Sequence, residues 1–320
     1  MSAAAANRVR EAVASLDDTA DRLASQSRRY YHNPYQTAWP QAVDPEGTWY
    51  TAPELSSLYG TPWWEGLAEP ARHRLSFFEA VNFFSLNIHG EKTLMAGLAS
   101  RLYRPDLAGI ADYLHHFLDE ENKHSVYFGG FCRRYARIYR SRQVQFPGSP
   151  FTAEQEDFLF FAKTMIFEEI VDYYNARQAK DVRLHPLARF INQYHHGEET
   201  RHLVFGRRLA ARLWEVCAPA WGEQAREDIR RYLRAFMVMA WREYYNPGVY
   251  ADCGFDDPWG VAEGAWQAAG QRAHRRAASG RSRVLPAGLD SQDRHRPEPG
   301  RLFPGEGLPS HRGDFAGNLG

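Results

Sequence analysis

Cysteine is scarce in this chain of 320 residues, being limited to Cys132, Cys217 and Cys253. Three scattered thiols exclude a disulfide framework and a thiolate zinc site, and they predict a reducing, cytoplasmic setting. Net charge is lacking too, because 39 Lys+Arg face 39 Asp+Glu. Without a basic excess the chain has no electrostatic footprint for nucleic acid. Long apolar runs are missing: even residues 158–167 are interrupted by Lys163. A membrane span needs roughly 20 apolar residues, so no membrane association is expected. The alanines at 3–6 lead straight to Arg8 and Arg10, which predicts no secretory signal. Strand-like alternation of useful length is also absent. What the chain has in quantity is aromatic residues, at 14%, and 13 histidines. So many imidazoles raise the question of what they bind.

The neutral balance is unevenly spread. Residues 271–320 hold nine Arg, five acids, recurrent proline (Pro286, Pro297, Pro299, Pro304, Pro309) and only Phe303 and Phe315 as aromatics. Such a segment buries too little apolar surface to fold, so a disordered tail is predicted. Residues 1–270 are then one slightly acidic, helical domain. An Ala-rich amphipathic helix is expected over 5–27, and a Pro-, Gly- and Trp-rich loop over 33–70 that includes Trp63 and Trp64. Long helical patterns follow over 73–100, 106–140, 152–180 and 184–216, separated by Pro105, Pro147, Pro150 and Pro186. Proline is tolerated at helix starts and in loops, which suits those positions. Further helices are expected over 223–245 and 258–279, on either side of Asn246-Pro247-Gly248. The fold class is all-α: a four-helix bundle with additional helices.

The bundle stripes carry charge where leucine belongs. The first long helix runs Phe77, Val81, Phe84, Ile88, Met95, Leu98 in steps of four and three, and the missing position holds Glu91. The second runs Ile110, Leu114, Phe117, Glu121, His124, Phe128, Phe131. The fourth gives Ile191, His195, Glu199, His202, Leu209 and Leu213, with the three polar residues inside an arc of about 60°. The third helix is apolar nearly all round and contains Glu168-Glu169. One of that pair should face inward, and averaging the helix's polar positions slightly favours Glu169.

Ionised carboxylates are costly to bury, and several close together repel one another unless cations compensate them. Carboxylate with imidazole suits iron or manganese, whereas zinc would favour thiolates. Di-iron carboxylate bundles supply one Glu from each of two helices and Glu-x-x-His from each of the other two. Here those parts occur in order: Glu91, Glu121-x-x-His124, Glu168 or Glu169, Glu199-x-x-His202. The spacing repeats as well, at 30 residues from Glu91 to Glu121 and 31 from Glu168 to Glu199. Two iron ions are therefore expected, with manganese or a mixed pair as the alternative. Glu120 and Glu198 read as solvated neighbours, or else as partners of a histidine ring.

The chain resembles the non-haem di-iron N-oxygenases typified by para-aminobenzoate N-oxygenase, within the ferritin-like superfamily. The resemblance rests on Leu86-Asn-Ile-His-Gly-Glu91-Lys-Thr-Leu94, Asp119-Glu-Glu121-Asn-Lys-His124, Glu168, Ala179-Lys-Asp181, Pro186 and His195-x3-Glu199-Thr-x-His202, across roughly residues 73–215. It implies a third histidine ligand at His195, whose counterpart in the first half is Phe117. Its ungapped register from Ala179-x-Asp181 to His195 places the third glutamate at Glu168. The implied ligand set is thus Glu91, Glu121, His124, Glu168, His195, Glu199 and His202. One departure stands out: the family has Asp before each Glu-x-x-His, where this chain has Glu120 and Glu198.

The implied activity is O2-dependent oxygenation of an amine nitrogen in a biosynthetic pathway. An aromatic amine, free or tethered to a carrier, would become a hydroxylamine and then a nitroso or nitro product. No flavin or nicotinamide site is visible, so an external electron donor or reductase is expected. The alternatives are a di-iron hydroxylase or desaturase acting at carbon and, behind it, iron storage or a ferroxidase.

Other residues are weaker candidates. His116, Tyr127 and Tyr194 are candidates for contact with the ligands or the substrate, as is Tyr174; His89 and His196 are expected at the surface. Arg201 could take a substrate carboxylate, as could the basic run Arg133, Arg134, Arg137, Arg140, Arg142, which otherwise reads as a solvated face ending near Pro147. Trp63 and Trp64 read as loop anchors. Phe236, Met237, Met239 and Trp241 could pair two subunits into a homodimer.

Overall fold

Helix limits follow the caps that the sequence supplies. In the computed structural model, residues 1–141 and 150–278 are described, with side chains as far as 271. Helix α1 (Ala3–Ala14) starts at Ser2, whose hydroxyl accepts from Ala5 N–H, and α2 (Asp17–Arg29) has Asp17 and Asp18 in its first turn. The single helix expected over 5–27 is thus two. Ser15 donates its hydroxyl back to Ala12 O at 2.8 Å, and the acidic pair beyond it favours a new N-terminus.

The loop that follows holds short turns of helix, among them α3 (Pro62–Glu65). The bundle helices are α4 (Glu69–Ala99), α5 (Ala111–Tyr135), α6 (Ala153–Gln178) and α7 (Pro186–Cys217). Thr152 and Gln155 form a capping box on α6, and proline opens α4 and α7. Then come α8 (Glu223–Arg242), α9 (Pro247–Asp252) and α10 (Pro258–Ala278). Asn246-Pro247-Gly248 does not simply separate two helices. Asn246 caps Gly248 N–H at 2.9 Å, and Pro247 begins α9.

The architecture is an all-α, ferritin-like bundle. Helix α4 packs on α5 and α6 on α7, while α1 lies on α7, α2 on α5, α8 on α6 and α9 on α4. No strand occurs among the described residues. One isolated bridge, Trp49 with Leu184, pins the loop beside the start of α7. Helices α4 and α6 run antiparallel in steps of seven, pairing Phe83 with Tyr174, Gly90 with Phe167 and Gly97 with Phe160. A Cβ on Gly97 would stand 2.0 Å from the Phe160 ring, so the close approach depends on glycine.

Two apolar clusters fill the bundle. One contains Leu94, Phe117, Phe161 and Phe205 together with Val9, Val13 and Leu23 of α1 and α2. The other contains Phe84, Ile88, Phe128, Val171 and Ile191. On each bundle helix the polar stripe residues fall between members of the two clusters, which fixes them at one level.

Met1–Arg272 forms one compact unit, and Ala273–Gly320 is a second. Of the second, only the backbone that completes α10 is described. The rest of the expected tail lies outside the described residues, as do Arg142 and Pro147. No helix among the described residues is long and apolar enough to cross a membrane.

Candidate metal centre

The bundle brings seven residues into one buried layer. Glu91, Glu121, His124, Glu199 and His202 are 0% exposed, and Glu168 and His195 are 1% exposed. Their donor atoms form overlapping groups in which all lie within 4.8 Å of one another, such as Glu91–His124–His195 and Glu121–Glu199–His202. His124 Nδ1 is 3.0 Å from Glu121 Oε2 and 3.4 Å from Glu199 Oε1. His202 Nδ1 is 3.0 Å from Glu121 Oε1 and 3.1 Å from Glu199 Oε1. His195 Nε2 is 3.2 Å from Glu199 Oε1 and 3.7 Å from Glu91 Oε1.

Several of these atoms have no hydrogen bond: both oxygens of Glu91, one each of Glu121, Glu168 and Glu199, and Nε2 of His195. Buried polar atoms are almost always paired, because leaving one unpaired costs roughly 1–3 kcal/mol. A convergent set of orphaned carboxylate oxygens and an imidazole nitrogen is a donor set for hard or borderline cations. The electrostatics agree. Burial pushes Glu91 and Glu121 up to about 8 and raises Glu168 as well. Carboxylate charge adds to it, from Glu199 on Glu91 and Glu168 and from Glu91 on Glu121, although the Glu121 carboxyl also opposes the rise at Glu91 through a hydrogen bond. Glu199 moves the other way: against the cost of burial, His202 and His195 hold it ionised. The layer is short of positive charge.

The outer nitrogens of the histidines are held by other side chains. His124 Nε2 donates to Glu198 at 3.0 Å, and His202 Nε2 donates to Glu120 at 2.8 Å. Each carboxylate belongs to the helix of the opposite histidine. Each also takes a cation: Lys123 Nζ donates to Glu198 at 2.7 Å, and Arg201 donates to Glu120. Despite the cost of burial, His202 and Arg201 hold Glu120 down at about 2. With a proton fixed on Nε2 by its carboxylate, each ring can give up only the Nδ1 proton to a metal, so the nitrogen it would offer is the one facing the layer, the arrangement that orients a metal-binding imidazole. The solvated alternative for Glu120 and Glu198 is therefore overturned. Arg201, which also donates to Ser27 of α2, has its guanidinium committed to this contact.

Other expectations fare differently. Glu168 faces the layer, while Glu169 is 38% exposed on its side chain and pairs with Arg207, so the periodicity vote for Glu169 fails. His116 lies outside the layer, 3.1 Å from Arg28. Tyr127 and Tyr194 meet at His32, which hydrogen-bonds the Tyr127 hydroxyl and lies 4.2 Å from the Tyr194 ring. His89, expected at the surface, is half-buried and donates to Tyr139 O at 2.8 Å, and half-buried His196 pairs with Asp172. In the basic run, α5 ends at Tyr135, and Arg137 pairs with Asp252. Phe236, Met237, Met239 and Trp241 are half-buried on α8.

Sequence reasoning missed Lys123, Asn175 and Glu79. For Lys123 the signal was present, because Glu120-Glu-Asn-Lys-His124 and Glu198-Glu-Thr-Arg-His202 are one motif written twice. The family model described as P-aminobenzoate N-oxygenase AurF matches residues 14–286. No curated protein matches the chain.

Proposed function

Since the chain belongs to the p-aminobenzoate N-oxygenase family, we propose that it is a di-iron N-oxygenase held together by Glu91, Glu121, His124, Glu168, His195, Glu199 and His202. One observation carries this reading: three buried histidines each turn one nitrogen to four buried carboxylates while the other nitrogen meets a polar side chain. Four ionised glutamates balance two divalent cations, so a loaded layer is neutral. The pairs Glu120–Arg201 and Glu198–Lys123 are neutral too, which removes the main cost of burying so many ionisable groups. Oxygen and imidazole donors favour iron, with manganese or a mixed pair as the competing content.

Bound there, the metal pair supplies O2 activation. The carboxylates hold its charge, the imidazoles add donors without adding charge, and the crossed pairs keep Nε2 of His124 and His202 protonated. Apolar side chains above and below exclude water from the reacting atoms. The substrate we assign is an amine, aromatic by preference and free or carrier-tethered, converted to a hydroxylamine and onward to a nitroso or nitro product. Electrons come from an external donor or reductase, and a homodimer through α8 is part of the proposal.

The test is anaerobic reconstitution with Fe(II), then O2 with a panel of arylamines and aliphatic amines, with products identified by mass spectrometry. Oxygen on nitrogen supports the reading. Oxygen on carbon, or a new double bond, would shift it to a hydroxylase or desaturase. O2 consumption without an organic product would leave a ferroxidase.

A further inference from the structure

His124 and His202 have anionic partners on their outer nitrogens, and His195 does not. Its Nδ1 lies against the amide of Asn175, a residue of α6 that is 0% exposed. Beyond Asn175 the same seam is polar but uncharged: Gln178 donates to Asn192 Oδ1 at 3.2 Å, and Asn192 donates to Ala188 O at 2.7 Å. The second polar atom of the Asn175 amide, Oδ1, is buried without a hydrogen bond.

A carboxylate can only accept, so the histidine facing it must carry its proton on the outer nitrogen. An amide can do either, donating through Nδ2 or accepting through Oδ1. The Asn175 amide thus gives the His195 ring a neutral partner on Nδ1, while Nε2, 3.2 Å from Glu199 Oε1, has no hydrogen bond. A His195 that offers its Nε2 lone pair to a metal carries its proton on Nδ1, and Asn175 receives that N–H through Oδ1, which has no other hydrogen bond.

We propose that Asn175 is the positioning residue of His195, a reversible amide partner that serves the ring both as a metal ligand and as a free imidazole. His195 is accordingly the exchangeable ligand of the set, held less firmly than His124 and His202. This rests on the metal-centre reading above and extends it to the one histidine without an anionic partner. A carboxylate partner raises ligand basicity, and loss of an outer partner typically weakens metal affinity about 10- to 100-fold.

Co(II) titration of the full chain, with release into a chelator followed by the visible cobalt bands, tests the idea. Asn175→Ala should weaken Co(II) binding roughly 10- to 100-fold. Asn175→Asp, which keeps the shape but only accepts, should bind at least as tightly as the parent, release metal more slowly and shift the cobalt bands. Once His195 is already Ala, Asn175→Ala should have no further effect. An equal loss from Asn175→Ala with and without His195 would overturn the proposal, because Asn175 would then act only on packing. So would fast release by Asn175→Asp. If the parent protein and His195→Ala bind Co(II) alike, His195 is no ligand and this proposal is overturned while the metal centre stands; if the parent binds none, the metal-centre reading fails first and this proposal falls with it.

Discussion

The half of the bundle built from α4 and α5 and the half built from α6 and α7 carry the same five-residue motif, Glu-Glu-x-(Lys/Arg)-His, at 120–124 and 198–202. In both, the second Glu and the His face the buried layer, and the first Glu reaches across to the other half's histidine. They part company four residues before that second Glu. Phe117 occupies the position in one half and stacks on His202 with ring centres 4.0 Å apart. His195 occupies it in the other and sets its ring edge-on to His124 at 4.3 Å. Equivalent positions thus pack on equivalent partners, but one supplies only a surface and the other also a nitrogen. Packing constrained the site to a ring, and donor chemistry then separated the halves.

The largest expected effect tests the equivalence. Glu121→Ala and Glu199→Ala, one change in each half, should each abolish metal-dependent O2 consumption, because Glu121 lies beside two histidines and Glu199 beside three. Activity surviving one change but not the other would break the symmetry. Next, Phe117→Ala should cost about 3–5 kcal/mol of unfolding free energy in urea while leaving all seven donors in place. His195→Ala should reverse the emphasis, with a greater loss of metal than of stability.

Third in size is the pH effect that Glu79 of α4 adds to that of the raised carboxyls in the buried layer. Glu79 accepts from Ser57 N–H at 2.8 Å, and its Oε2 is buried without a hydrogen bond. Burial pushes its carboxyl up to about 7, opposed by the hydrogen bonds from Ser57. A raised carboxyl favours the fold while neutral. That stability is complete below the unfolded value near 4.5 and is lost as pH rises through about 7. The loss should be about 3 kcal/mol, read from urea midpoints between acid and neutral pH. Glu79→Gln should remove that share of the slope and leave the share of the raised carboxyls in the buried layer, and an unchanged slope would exclude Glu79 as a contributor.

The smallest effect concerns the crossed contacts. Glu120→Gln and Glu198→Gln should each weaken metal binding about 10- to 100-fold. The Glu120 effect should disappear when His202 is already Ala, and the Glu198 effect when His124 is. Effects that instead followed the histidine on the same helix would refute the crossing.

Much of this was legible in the sequence. Glu91, Glu121, His124, Glu199 and His202 interrupt apolar stripes, and a residue in a stripe faces the core whatever its charge. Glu168 was harder, because α6 is apolar nearly all round and its weak periodicity favours Glu169; the family register points to Glu168 instead, and Glu169 pairs outward with Arg207. Of the two readings of Glu120 and Glu198, that of partners to a histidine ring is the one that holds; the solvated one rests on a lone bundle, which exposes the flank of each stripe. Here α2 lies over that flank, with Ser27 on Arg201, and no pattern within α5 or α7 announces a covering helix. Asn175 was invisible for a related reason: its role comes from contact with another helix.

The central claim is that two halves of one bundle close around a metal pair. Anaerobic Fe(II) titration of the metal-free chain, followed by Mössbauer spectroscopy, tests it most directly. The expected result is about two irons per chain in a coupled, oxygen- and nitrogen-ligated pair, lost on Glu121→Ala and on Glu199→Ala alike. A single uncoupled ion, or iron uptake untouched by those changes, would contradict it.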